Sequence, residues 1–354
     1  MAENVIKMNY TMDIHRDCIK NSLVAPHLTT KYKFEGAKGV IIEEPQTVEM
    51  QDYTRTGTHR YGTPTEVQYY AQEMIMGQDK SFSLTIDKGN QKDRSAKAYG
   101  AEVMRKQVVE RAIPMQDAHS LYVLAHKAGT IVGNATALEK GNVVERIFDA
   151  GVALDDAEFP TEDRTLFVSS NVYKLIKLSE EFSKVDKLAE KSLTKGLVGY
   201  LDNMKVIKVP KKRWPANVNF ILVHKSAGTA PTKIKDAKMY LDAPGISGYL
   251  LEGRNYFDCF VIGHRCEGVY AEINTASGKG TIVAAPTIAA TTAKLTSTTS
   301  GASFKYTLDG SDPRYSKTAI EGAGPATSPA AGTVVKAYAY LASAFDSAVT
   351  ELTI

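Results

Sequence analysis

The chain has 354 residues, 43% of them hydrophobic and 23% charged, which is ordinary for a folded protein of two or three domains and excludes wholesale disorder. With 43 Lys and Arg against 40 Asp and Glu the net charge is only +3, so no strong basic field marks DNA or RNA as the main partner. The longest charge-free stretches (Gly280 to Ala293 and Gly322 to Val335) are 14 residues, too short to span a bilayer; no apolar leader follows Met1, and three cysteines form no disulfide framework.

Taken in chain order, Met1 to about Lys33 shows no clean period and reads as an extended arm with a short helix around Asp13 to Ser22. A β-rich region follows, with Gly39 to Glu43 and Thr47 to Met50 as strands, and Val67 to Asp87 holds two further runs of alternating character. Lys88 to Arg94 is a polar, charged turn. From Ser95 to about Lys127 the apolar spacing becomes helical, and Pro114 is expected to kink or split this rod of some 30 residues. A second helix is expected from Gly141 to Leu154 and a buried strand from Arg164 to Ser169. Ser170 or Asn171 then caps a helix through Leu178. Leu197 to Leu201 and Lys205 to Val209 flank Asp202-Asn203-Met204 as a hairpin; Phe220 to Val223, Tyr249 to Leu251 and Phe257 to Ile262 are further strands. The order is not βαβαβ, so α+β is expected rather than a doubly wound nucleotide-binding sheet.

Composition changes after about Asn274. From Ala276 to Ile354, 46 of 79 residues are Ala, Gly, Ser or Thr and only 11 are charged, about half the charge density of residues 1–275. Thr275 to Thr281 has linker composition, so a domain border belongs there. Beyond it, Ser303 to Leu308 and Thr333 to Tyr340 alternate at period two, and Asp309-Gly310-Ser311-Asp312-Pro313 supplies turn chemistry between them. Several short strands in so few residues predict a small β-sandwich.

The search for chemistry yields no catalytic, cofactor or metal site. The seven histidines form no His-Glu-x-x-His motif; His119 and His126 are spaced to share a helix face, where polar surface or interface is the simpler reading. Cys259 and Cys266 lack Cys-x-x-Cys spacing and read as buried thiols. Thr56 to Gly62 is a flexible loop rather than a phosphate cradle, and no Gly-x-Ser-x-Gly elbow exists. Asp155-Asp156-Ala157-Glu158 reads as solvated surface, and Lys211-Lys212-Arg213 beside Trp214 as a solvated basic turn. Asp309 to Pro313 lacks the alternating acids and the final Glu of a calcium loop.

In arrangement, residues 1–275 resemble the major capsid protein of tailed bacteriophages, the Hong Kong 97-type fold shared with encapsulins. Within them Ser169 to Leu175 and Gly196 to Ile207 are similar to stretches recurring in that family. The resemblance implies an N-arm (1–33), an extended loop (54–94), a spine helix (95–129) and an axial domain (137–263), with Arg265 to Tyr270 returning as a closing strand. The tail is similar to the Ig-like module at the C-terminus of chitobiases and β-hexosaminidases, carried by Phe304 to Pro313, Val335 to Ala339 and Ser347 to Val349.

The family implies a non-enzymatic shell subunit in the virion, made and assembled in the bacterial host cytoplasm as hexamers and pentamers. Its implied partners are portal, scaffold or minor capsid proteins and DNA held without specificity, with no membrane. No charged helical prologue precedes the arm, so any scaffold is expected to be a separate protein. Charges at Glu73, Asp79, Lys80, Asp87, Lys88, Lys92, Asp93 and Arg94 are candidates for inter-subunit pairing that sets register. The resemblance makes Lys80 or Lys88 a candidate for the position where some such phages cross-link a Lys to an Asn, with neither the partner Asn nor the acid identified in the sequence. Two rival readings stand beside this one. One is an encapsulin-like cargo compartment. The other is a carbohydrate-binding protein acting through Tyr306, Tyr315, Tyr338 and Tyr340 on surface glycans, although core packing also explains most of these tyrosines.

Overall fold

A computed structural model describes residues 22–32, 34, 39–48, 50–64, 66–88, 100–179, 197–241 and 243–354. The expected helix around Asp13, the Lys88 to Arg94 turn beyond Lys88, and the first residues of the long helix lie outside them.

Strands β1 (Gly39–Pro45) and β2 (Tyr69–Ile75) pair antiparallel, Gly39 opposite Ile75 and Pro45 opposite Tyr69, so residues 46–68 form the far end of a hairpin. Strand β3 (Gln78–Asp87) follows after two residues but pairs elsewhere. The two strands within the expected 54–94 loop therefore do not pair with each other. β2 closes a hairpin begun at Gly39, and β3 turns back to join the body.

The long helix runs as α1 (Gly100–Gln107), a π-helical stretch at Val108–Ala112, and α2 (Ile113–His126). Pro114 has no N–H to give to the carbonyl of Glu110, and the widened π turn is where the helix absorbs that loss. The interruption expected from Pro114 thus falls just before it.

Next come β4 (Thr130–Asn134), α3 (Val143–Asp156), β5 (Arg164–Ser169), α4 (Ser170–Leu178), β6 (Leu197–Leu201), β7 (Met204–Val209) and β8 (Val218–His224). After them lie β9 (Gly228–Thr229), β10 (Thr232–Tyr240), β11 (Gly248–Phe257), β12 (Phe260–Val261) and β13 (Val269–Asn274). The cap of α4 is Ser169, one residue before the expected positions, and its hydroxyl accepts from the Val172 N–H. The β6–β7 turn is tighter than expected: Asp202 and Asn203 both take positive φ (46° and 59°), as a two-residue hairpin turn requires. The single strand expected from Phe257 to Ile262 is broken into β11 and β12.

The main sheet has the order β4-β13-β8-β5-β7-β6. Every residue of β8 is buried, because both faces of the sheet are covered. Phe220 and Leu222 point to α3 and α4, where they meet Val144, Ile147, Leu154 and Ile176. Ile221 and Val223 point the other way, to Leu121, Leu124 and Ala128 at the end of the long helix. Alternation is thus present, but both halves of it are apolar. A second sheet, β10-β11-β3, packs beside α1, and β10 is a strand the sequence reading missed. Its segment Thr232-Lys-Ile-Lys-Asp-Ala-Lys-Met-Tyr240 is charged, and Thr232, Lys233 and Asp236 to Tyr240 are exposed.

After β13 the chain makes an ordered turn rather than a loose linker: Thr275 N–H donates to Asn134 O (3.0 Å) and Gly280 N–H to Asn274 O (3.0 Å). The C-terminal module then pairs β14 (Thr287–Ile288) with β15 (Leu295–Thr296) and stacks them on a sheet ordered β17-β16-β18-β19. In this sheet β16 is Ser303–Thr307, β17 Ile320–Glu321, β18 Val334–Tyr340 and β19 Thr350–Thr353. Ile288, Leu295, Tyr306, Val335 and Ala337 form its core, a small β-sandwich as expected.

Candidate assembly surfaces

The hairpin has a base packed on the body and a bare far end. At the base, Met74 and Met76 are buried with Phe34, whose ring stacks on Phe260 (centroids 5.7 Å apart, planes at 12°). Asp258 pins the β2–β3 corner: its Oδ2 accepts from Gly77 N–H (2.7 Å), and its Oδ1 lies 2.7 Å from Nε2 of His119. Glu44 Oε2 lies 3.0 Å from His264 Nδ1. Burial raises the carboxyl pKa of Glu44 against the opposing pull of Arg265, and burial together with Arg265 and Lys31 lowers that of His264. Beyond Pro45 and Tyr69 the described residues are exposed apart from the half-buried Gly62, and they include large apolar ones: Met50 is 100% exposed, Tyr61 89%, and Val48, Tyr53 and Val67 more than half. Tyr53 and Tyr61 pack on each other, edge to face at 5.0 Å. Exposed apolar surface of this extent on one projecting element marks an interaction site.

A second surface is a cleft of about 470 Å³ between the π-helical stretch and the β10-β11-β3 sheet. Phe82, Val108, Ala112, Ile113 and Met115 line it, with Lys80 and Arg111 among its charged residues.

The third is internal, where the C-terminal module meets the body. Arg314, with only 7% of its side chain exposed, donates through Nη1 to the carbonyls of Ala128 (3.1 Å) and Gly129 (2.8 Å), just past the end of α2. A cation there also faces the negative end of the helix dipole. Asp312 orients the guanidinium, accepting from Nη2 at 2.7 Å. Tyr315 OH donates to Lys127 O (2.6 Å), and Lys127 Nζ lies 2.5 Å from Asp346. Phe345 is buried in the main core and stacks on His126. Gly129 is required at this junction, because a Cβ there would lie 2.2 Å from Cys266 O.

Two buried ion pairs fix the framework. Arg146 on α3 holds Glu272 on β13 with two nitrogens, Nε to Oε2 at 3.0 Å, and Asn219 Nδ2 adds a bond to Oε1 at 2.6 Å. Asp117 on α2 accepts from Arg213 Nη1 (2.5 Å), Ser22 Oγ (2.6 Å) and Leu23 N–H (3.0 Å), so it ties the chain entering from the N-terminal side to the long helix.

Of the residues singled out for inter-subunit pairing, Asp79 is already held within the chain by both arms of Arg254 (2.9 and 2.5 Å). Glu73 is exposed on β2, Lys80 is exposed at the cleft, and Asp87 and Lys88 close β3 with Lys88 N–H donating to Ser247 O (2.8 Å). Lys92, Asp93 and Arg94 lie outside the described residues. Of the four aromatics that the carbohydrate-binding alternative would use, most are packed, as core packing already suggested. Tyr306 and Tyr338 are core residues (5% and 4% exposed), and Tyr315 is turned into the body. Tyr340 alone of the four stays open, with Lys305 over its ring and its hydroxyl on Glu321.

Other candidates resolve as structure. Arg213 and Trp214 of the basic turn face inward, the indole N–H donating to Val218 O (2.7 Å). Asp155 pairs with the buried Arg164 (2.6 Å). Asp309 spends its carboxylate on Ser311 N–H, Ser311 Oγ and Thr318 Oγ1, bonding that makes it a turn brace. Cys259 and Cys266 are buried, and burial pushes both thiols up to about 12. Neither docking residue of the module, Arg314 or Phe345, was singled out from sequence. The available signal was Arg314 as one of 11 charges in a charge-poor stretch.

The sequence matches no protein-family model and no curated protein. The fold matches solved phage structures. One from Mycobacterium phage Che8 is 14% identical with a TM-score of 0.59, and the match covers 78% of this chain and 100% of that one. The capsid structure of the cyanophage P-SCSP1u is 10% identical with a TM-score of 0.61, covering 77% and 94%. The mature capsid of bacteriophage PhiM1 is 13% identical with a TM-score of 0.53, covering 68% and 82%. The architecture is the Hong Kong 97-type capsid fold, α+β, followed by a β-sandwich.

Proposed function

We propose that this chain is the major structural subunit of a bacteriophage capsid, a non-enzymatic protein that assembles as hexamers and pentamers into an icosahedral shell around DNA. The observation that carries this reading is the projecting hairpin with an apolar far end on a body of capsid fold. Such an element is costly in water for a free monomer and is accounted for when a neighbouring subunit covers it. In this reading residues 22–32 belong to the N-arm, the β1–β2 hairpin is the extended loop, the helix ending at His126 is the spine, and the main sheet with α3 and α4 is the axial domain. The Phe82–Ile113 cleft is a candidate seat for a neighbour's hairpin. The C-terminal module has the Ig-like character read from its sequence and sits on the outer surface. The particle is built in the host cytoplasm with portal and scaffold proteins, and DNA is enclosed without specific contacts.

Negative-stain electron microscopy of the purified chain, alone and coexpressed with the head proteins of its phage, tests this. Closed shells are expected. A chain that stays monomeric under both conditions would overturn the reading, and shells packed with protein cargo instead of DNA would point to an encapsulin-like compartment.

A further inference from the structure

The C-terminal module touches more than the end of the long helix. Its segment Asp309–Thr318 also reaches the hairpin. Lys317 N–H donates to Ala71 O (2.9 Å), Ser316 forms an antiparallel bridge with Gln72, and Tyr70 OH donates to Asp309 O (3.2 Å). These bonds fall on the edge of β2 that β1 leaves open. Gly310, at φ 76°, brings the turn close to Tyr70; a Cβ there would sit 3.4 Å from the tyrosine oxygen.

The body grips the same strand nearer its root. Gln72 Nε2 donates to Val261 O (2.8 Å), Gly263 N–H donates to Gln72 Oε1 (2.7 Å), and Tyr256 OH donates to Met76 O (3.0 Å). On β2 the grip of the body covers Gln72 to Gly77, while Glu44 of β1, opposite Tyr70, lies 3.0 Å from His264; on β2 itself the module extends the grip outward to Tyr70 and Ala71. At about 3.3 Å per residue this lengthens the clamped part of the strand by roughly 7 Å. An isolated two-stranded ribbon is marginal and free to bend and twist. Held at its root and by the Glu44 side chain alone, its open edge is free to turn; held at a second station on that edge it has a defined direction. Arg314 and Tyr315, the two residues just before the bridging Ser316, anchor that second station to the helix end.

We propose that the module has a second function besides any surface role: it is an intrachain brace that sets the direction of the β1–β2 hairpin through residues 309–318. The consequence for a shell rests on the capsid reading, in which this hairpin lies over a neighbour. There the brace does within one chain what a separate stabilising protein would do from outside.

Backbone hydrogen exchange on the unassembled full-length chain tests the brace itself. Y70F, Y70A and K317P each remove a contact with the hairpin. Faster exchange by roughly five- to ten-fold is expected at hairpin amides from Ile42 to Gln46, with Tyr306 and Ala337 in the module unchanged. Unchanged hairpin exchange in Y70A and in K317P, with the module still folded, would overturn the proposal. If K317P loosens the module core as well, Y70F and Y70A decide alone, since their change lies on the hairpin. Electron microscopy of the same variants reads the consequence separately. Wild-type shells with misshapen or mixed-size shells from Y70A are expected, and uniform variant shells would overturn the brace's role in assembly. Absence of wild-type shells would count against the capsid reading and leave the exchange result standing.

Discussion

His126, the last residue of α2, lies flat against Phe345 of the C-terminal module, ring centroids 4.2 Å apart and planes inclined by 22°. Tyr122 stacks on the other face of the imidazole at 3.9 Å, and its carbonyl lies 2.9 Å from Nδ1. Burial lowers the pKa of His126, outweighing the opposing pull of the Tyr122 carbonyl and Asp346, while Lys127 adds to the lowering. The unfolded chain therefore takes up this proton before the folded one does. The stabilisation that depends on neutral His126 is complete above pH 6.5 and is lost as pH falls below it toward the folded pKa. Thermal unfolding between pH 8 and 5 should show a steeper loss in wild type than in H126F. His27, His224 and His264 are also lowered and common to both chains, so the difference isolates His126. Identical pH profiles would contradict this assignment.

Removing Glu272 strands the Arg146 guanidinium in the interior. E272A should cost about 3–5 kcal/mol in chemical denaturation, whereas the double change R146M/E272L should cost distinctly less, because no buried charge is left unpaired. A double variant as unstable as the single one would mean that packing, and not charge, governs the site.

Ser22 and Leu23 are tied to the long helix through one carboxylate. D117N keeps the shape but removes the charge that Arg213, Ser22 and Leu23 share. Exchange at the Leu23 and Ala25 amides should rise at least ten-fold, with a loss of roughly 2–4 kcal/mol in overall stability. Protected arm amides in D117N would show that Val24 and Leu28, buried in the main core, suffice without the carboxylate.

The thiols of Cys259 and Cys266 should be silent. In a C18S chain at pH 8, an aromatic disulfide reagent should label neither within an hour and both promptly in denaturant, since thiolate is scarce and access closed. Rapid labelling of the native chain would show that the C-terminal module, which covers Cys266 through Arg314, opens in solution.

Local chemistry was legible wherever one feature dominates its neighbourhood. Pro114 foretold the break in the long helix, Asp202-Asn203-Met204 a hairpin there, though not its tightness, and Gly310 the turn of the module. Long-range pairing was not. β2 and β3 are two residues apart, yet their partners are β1 and the distant β11, and no alternation pattern encodes which edge a strand will join. β10 escaped notice because its segment is charged and most of it is exposed. The tyrosines stayed open between two readings for a related reason: period-two alternation groups residues by sheet face, and Tyr306 and Tyr338 fall on opposite faces, but it does not say whether a face meets water or protein.

By itself the sequence determined the change of composition near residue 275, the α+β body and the small β-sandwich, because composition and periodicity record burial and backbone preference along the chain. Only the tertiary structure decided that the charge-poor quarter is not a tethered appendage. Arg314, Tyr315 and Phe345 tie it to the helix end, and Ser316 and Lys317 tie it to the hairpin. Those contacts join residues up to about 250 positions apart through carbonyls and strand edges, which every sequence possesses and none advertises.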